Sequence, residues 1–154
     1  MHILGCYAQT EIGHGSNVAG LETTATFDKE TDEFIINTPT PSATKWWPGE
    51  LGKTSNHAIV FAQLIIDGNK LSPAPFLVQI REFETHMPCK GIECGEMGPK
   101  LGWHSKENGW CVFKNVRIPR KNLLSKFMSV DREGSFSIEG DLRVLYATMM
   151  SVRT

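Results

Sequence analysis

His57-Ala58-Ile59-Val60-Phe61-Ala62-Gln63-Leu64-Ile65-Ile66 is an almost unbroken apolar run, closed on one side by Asn56 and on the other by Asp67-Gly68-Asn69. It is too short for a comfortable helix and rich in β-branched and aromatic residues, so it reads as a central strand buried on both faces. Downstream, Pro75 to Ile80 reads as the next strand, with Asp67 to Pro73 as the connecting loop. Upstream, Ile3 to Ala8 reads as a short strand that ends in the polar, glycine-containing stretch Gln9 to Asn17, the kind of strand-to-loop transition where sites sit.

The remaining segments follow the same period. Thr23 to Asp28 and Glu33 to Asn37 alternate around a turn-like Asp28 to Asp32 and read as a hairpin, and Thr38 to Ser42, with two prolines, is extended. Met87 to Gly102 is so rich in glycine and proline that it reads as a long irregular connection. Gly109 to Ile118 alternates and ends at Pro119, as an edge strand does, and Asn122 to Leu124 closes it. Only Leu142 to Val152 has helical spacing, with Asp141 as its N-cap. Short strands followed by one terminal helix predict an all-β barrel or sandwich with the start of a helical region attached.

Composition narrows the function classes. The chain has 154 residues, enough for one domain with a real core, and its 40% hydrophobic and 21% charged residues are those of an ordinary globular protein. Sixteen basic against 17 acidic residues leave a formal charge of -1, too weak a field to attract nucleic acid or an anionic membrane. No apolar run is long enough to span a bilayer, and the first residues have no signal-peptide pattern. The four cysteines, Cys6, Cys89, Cys94 and Cys111, fit no zinc spacing and read as free thiols in a reducing compartment. The five histidines include no i, i+4 pair, so no metal is predicted.

Several motifs are decoys. Gly52-Lys53-Thr54 looks like the end of a phosphate loop, but Trp47 occupies the position where that loop needs glycine. Gly13, Gly15 and Gly20 have the wrong spacing for a dinucleotide fingerprint, and no Gly-x-Ser-x-Gly is present. The cluster Lys114, Arg117, Arg120, Lys121 and Lys126 reads either as a phosphate contact or as a solvated strand edge, the commoner use of such residues. Lys45 to Lys53, with adjacent Trp46 and Trp47 ahead of Pro48-Gly49, reads either as core and turn or as the wall of a site for a flat aromatic ring.

Tyr7 to Ser16, Gly20 to Thr26, Lys45 to Gly49, Gly52 to Ala58, Gly98-Pro99-Lys100 and Arg117 to Leu124, taken in order, resemble the middle domain of peroxisomal acyl-CoA oxidases. The resemblance covers essentially the whole chain and carries the broader acyl-CoA dehydrogenase pattern. It implies an FAD-binding antiparallel β-barrel over residues 1–130. Residues 131–154 would be a linker and the first helix of a C-terminal helical domain, all within a longer homodimeric, peroxisomal enzyme. It implies oxidation of fatty acyl-CoA to trans-2-enoyl-CoA with O2 reduced to H2O2, by way of a glutamate base outside this chain, so no catalytic residue is assigned here.

By the same resemblance Thr10 and Gly49 contact FAD, Trp46 packs near its ring and Ser16 touches the acyl-CoA. Pro48 stands where related dehydrogenases carry a threonine, which implies fewer donors beside the flavin and easier access for oxygen. Glu50 stands where the oxidases commonly have a second glycine, and would be strained there if its φ is positive. Two further readings remain: a dehydrogenase passing electrons to an electron-transfer flavoprotein, and a non-catalytic barrel binding acyl-CoA or a protein partner.

Overall fold

The computed structural model describes residues 3–139 together with Arg143, Val144 and Ala147. At its centre is β5 (His57–Ile66), the strand expected from the apolar run, in which all but Ile59 and Ile65 are buried. One side of β5 pairs along its length with β6 (Asn69–Gln79), antiparallel. The other side is shared: β1 (Gly5–Ala8) runs parallel to its first half and β2 (Thr24–Asp28) parallel to its second half. From β2 the six-stranded sheet continues antiparallel to β3 (Glu33–Asn37) and from β3, antiparallel again, to β9 (Val116–Pro119), and it curls into a half-barrel.

A second sheet has β8 (Asn108–Phe113) between β4 (Lys45–Gly49) and β7 (Ile92–Glu96), all antiparallel. β10 (Met128–Val130) and β11 (Phe136–Ile138) form a small hairpin. The core is one cluster in which Phe34, Phe76, Phe113, Leu64 and Ile36 are fully buried, with Phe34 and Phe76 edge to face at 5.0 Å. Among the described residues no helix is long and apolar enough to cross a membrane.

Several expectations are corrected. The pairing is not wholly antiparallel: β1 and β2 are two pieces of one interrupted edge beside β5, and residues 9–23 leave the sheet between them. The β5–β6 connection is not a loop from Asp67 to Pro73. Asp67 and Gly68, at φ 50° and 77°, make a two-residue turn, and the strand resumes at Asn69. Pro73 and Pro75 are tolerated in β6 because they face its outer side, where the Pro75 carbonyl accepts Leu124 N–H at 3.0 Å and no N–H is required for the ladder to β5.

Met87 to Gly102 is not wholly irregular, since it contains β7. Gly109 to Ile118 is two strands in two sheets, β8 and β9, parted at Lys114 and Asn115. The expected helix from Leu142 to Val152 lies outside the described residues except for Arg143, Val144 and Ala147.

Candidate functional site

The segment that leaves the sheet after β1 is fastened to the start of β4 by backbone bonds: Gly13 N–H to Ser42 O (2.9 Å), Ile12 N–H to Thr44 O (3.0 Å) and Trp46 N–H to Thr10 O (3.0 Å). Beneath these bonds lies a fully buried ion pair. Lys45 Nζ donates to Glu11 Oε1 (3.0 Å), to Gln9 O (3.1 Å) and to Phe61 O (2.6 Å). Glu11 also accepts the backbone N–H groups of Glu22 (2.8 Å) and Thr23 (3.0 Å), so the pair joins β1, β2, β4 and β5 at one point. Burial pushes the Lys45 ammonium down to about 8, against the opposing pull of Glu11.

β4 then bulges. Its register with β8 shifts between Trp46 and Gly49, and Trp47 (φ 84°) and Glu50 (φ 66°) both take left-handed backbone conformations without being glycine. Asn108 Nδ2 holds the bulge by donating to Trp47 O at 2.6 Å. Glu50, the residue in question from sequence, is strained as expected and pairs with Lys106, which holds its carboxyl below the usual range.

Between the bulge and the end of β1 lies a cavity of about 340 Å3. Its floor and one wall come from Tyr7, Gln9 and Thr10; Trp47, Pro48 and Gly49 face them, and Trp103, Lys106 and Asn108 complete it. Two indoles are strongly exposed there, Trp47 at 45% and Trp103 at 77%. Gly49 is covered by Lys106: a Cβ at that glycine would lie 2.8 Å from Lys106 Cε.

The structure thus brings Thr10 and Gly49 to one cavity. It does not place Trp46 there: the neighbouring Trp47 lines the wall, while Trp46, paired with Trp110, stands beside it in β4. Ser16 is exposed on the segment between β1 and β2, outside the cavity lining.

Other residues named from sequence are engaged elsewhere. Gly52 N–H donates to Glu107 Oε1 (2.7 Å), and Arg81 takes Gly52 O (2.6 Å), Ser55 O (2.6 Å) and Leu51 O (3.1 Å), so this turn is built for its own scaffold rather than for phosphate. Of the basic cluster, Arg117 pairs with Asp28 and Glu33, Arg120 with Asp32 and Lys114 with Glu93, which is a solvated strand edge. All four cysteines are free, and burial raises their thiols, Cys6 to about 11.

Sequence reasoning missed Glu11 and Lys45, Gln9, and the cavity's third side, Trp103, Lys106 and Asn108. Gln9 and Glu11 lay in the strand-to-loop stretch Gln9 to Asn17 and Lys45 in the stretch Lys45 to Lys53, both singled out as whole segments, but nothing in the sequence marked these residues individually or pointed to Trp103, Lys106 and Asn108.

A family model described as the acyl-CoA dehydrogenase middle domain matches residues 6–116. The chain belongs to that family. Within it, the chain is 51% identical over 154 residues to peroxisomal acyl-coenzyme A oxidase 1 of Homo sapiens, an alignment covering 100% of this chain and 23% of that protein. The solved structure of Arabidopsis thaliana acyl-CoA oxidase 1 superposes with a TM-score of 0.93 at 50% identity, over 99% of this chain and 24% of that one. That of acyl-CoA oxidase-2 from Caenorhabditis elegans, described as bound with FAD, ascaroside-CoA and ATP, gives 0.94 at 45% identity, over 99% and 23%. This acyl-CoA dehydrogenase middle domain therefore spans about a quarter of the length of the oxidases it matches.

Proposed function

We propose that this chain is the FAD-binding middle region of a peroxisomal acyl-CoA oxidase, a longer homodimeric enzyme that converts fatty acyl-CoA and O2 to trans-2-enoyl-CoA and H2O2. Residues 1–130 form the barrel-type domain, its wall made of the two sheets, and 131–154 lead into a C-terminal helical domain that carries the base. The observation that carries the reading is the meeting of Thr10 and Gly49 at one aromatic-walled cavity, in a chain about half identical to such oxidases throughout.

The residues present fit a flavin. Gln9 Nε2 and Oε1 and Asn108 Oδ1 are buried without hydrogen-bond partners in the residues that line the cavity, and Trp47 offers an exposed indole: a flat ring with a polar edge suits both. Bound FAD supplies the hydride acceptor for the β carbon of the substrate.

The chain's own part is to hold and orient. Thr10 holds the ring by its hydroxyl from the end of β1, a position fixed by the Trp46 N–H bond. Gly49, lacking Cβ, lets the bulged backbone come close, and Trp46 backs the wall that Trp47 faces. Lys106 lines the cavity over Gly49 and is held there by its ion pair with Glu50. Ser16, exposed on the segment between β1 and β2, contacts the acyl-CoA.

Purified full-length parent enzyme tests this. It should be yellow, retain FAD through gel filtration and form H2O2 from palmitoyl-CoA in stoichiometry with O2 consumed. A colourless protein, or one that reduces an electron-transfer flavoprotein while ignoring O2, overturns the oxidase reading.

A further inference from the structure

Gln9 is 2% exposed, and neither end of its side-chain amide has a hydrogen-bond partner. Its backbone has no freedom to seek one: Gln9 O is bonded to the buried Lys45 ammonium at 3.1 Å, and the next carbonyl, Thr10 O, accepts Trp46 N–H at 3.0 Å. Tyr7 and Gln9, two residues apart along one extended segment, both line the cavity. A carboxamide offers one donating and one accepting group side by side, and leaving both unpaired in a protein interior is costly unless something else satisfies them.

Resting on the flavin reading of this cavity, we infer that Gln9 is a flavin-positioning residue, its side-chain amide pairing with the imide edge of the isoalloxazine ring. That edge presents a carbonyl, an N–H and a second carbonyl in sequence, so it answers both halves of a carboxamide at once. A thioester carbonyl answers only the donating half. Asn108 stands opposite: its Nδ2 is spent on Trp47 O at 2.6 Å, leaving only the accepting Oδ1 unpartnered, which makes it a holder of the bulge rather than a second reader of the ring edge.

Gln9→Met in the full-length parent tests the inference, because the two roles of Gln9 predict different flavin readouts. A ring-pairing amide makes the variant bind FAD about tenfold more weakly in flavin-fluorescence titration, the loss expected for two neutral hydrogen bonds. It also shifts the visible flavin absorption band and the flavin midpoint potential, while the melting temperature of the FAD-free protein stays level or rises. A merely structural amide makes Gln9→Met more stable and leaves FAD affinity, band position and potential as in the wild type, which overturns the inference.

Gln9→Asn, which keeps both halves of the amide but withdraws them by one methylene, covers the case in which Gln9→Met does not fold. It should weaken FAD by a similar factor, and unchanged affinity also overturns the inference. Wild-type parent that takes up no FAD refutes the proposed function itself, an outcome separate from wild type and variant binding it equally.

Discussion

Lys45→Met probes the joint under the site. The ammonium is fully buried and bonded to Glu11 Oε1, Gln9 O and Phe61 O at 3.0, 3.1 and 2.6 Å. Methionine fills similar space, so the loss is electrostatic: Glu11 keeps the Glu22 and Thr23 N–H groups but loses its counter-ion, and two carbonyls lose their donor. Removing one partner of a buried pair costs about 3–5 kcal/mol. For a domain of this size that lowers the melting temperature by roughly 10 °C.

Urea unfolding followed by tryptophan fluorescence measures the cost. Hydrogen exchange locates it, with the amides of Ile12, Gly13 and Trp46 losing protection first. A pH arm checks the electrostatics. Folded Lys45 titrates near 8 and an unfolded lysine near 10.4, so between these values the unfolded chain holds more protons and wild-type stability rises with pH, by up to about 1.4 kcal/mol per unit. Below pH 8 both states are protonated and the contribution is flat. The variant lacks the rise, so the gap between the two proteins widens from pH 8 to 10. A variant melting within about 2 °C of wild type, or a gap constant across that range, refutes the reasoning.

Three further outcomes are expected. Glu50→Gly relieves a left-handed backbone worth about 1 kcal/mol and gives up an exposed pair with Lys106 worth about 0.5 kcal/mol, so denaturant titration should show it level with or slightly more stable than wild type; a clear loss would contradict the strain seen at φ 66°. Gly109→Ala puts a methyl 2.1 Å from the backbone nitrogen of Gly52, where no side chain can yield, and should cost more than about 3 kcal/mol and reduce soluble yield sharply; a wild-type melting temperature would show the two segments are not so close. Replacing Pro48-Gly49 by Thr-Asn in the full-length parent adds donors at the cavity wall and should slow peroxide formation, as read by stopped-flow reoxidation under varied O2; an unchanged rate sinks the oxygen-access idea.

The parts of the fold legible in sequence were those whose hydrophobic period needs no partner to be seen. β5 was found to its ends because both faces are buried, and the β2–β3 hairpin because it alternates. β7 was missed because Ile92-Glu93-Cys94-Gly95-Glu96 has neither pattern, and only its ladder to β8 makes it a strand. The front half of β6 was missed because Asp67 to Pro73 read as loop and the strand was taken to begin at Pro75, although a proline facing the outer side of an edge removes no sheet hydrogen bond. In the site, Thr10 and Gly49 came from resemblance and meet in space. Trp47 rather than Trp46 lines the cavity because a bulge changes which of two adjacent side chains faces it, and residue identity does not show a bulge.

The position of the cavity follows from the break between β1 and β2. A continuous strand beside β5 would satisfy its own backbone and leave no opening; here residues 9–23 depart, and their backbone groups must be paired elsewhere. They are paired with the approach to β4 and with the buried Glu11, whose charge requires Lys45. That same pairing draws Thr10 against Trp46, three residues before Gly49, and the bulge of β4 then turns Trp47 and Gly49 toward the space left at the end of β1. The cavity is thus the place where the sheet edge is interrupted, and the buried ion pair fastens the departing segment to β4 and β5 there.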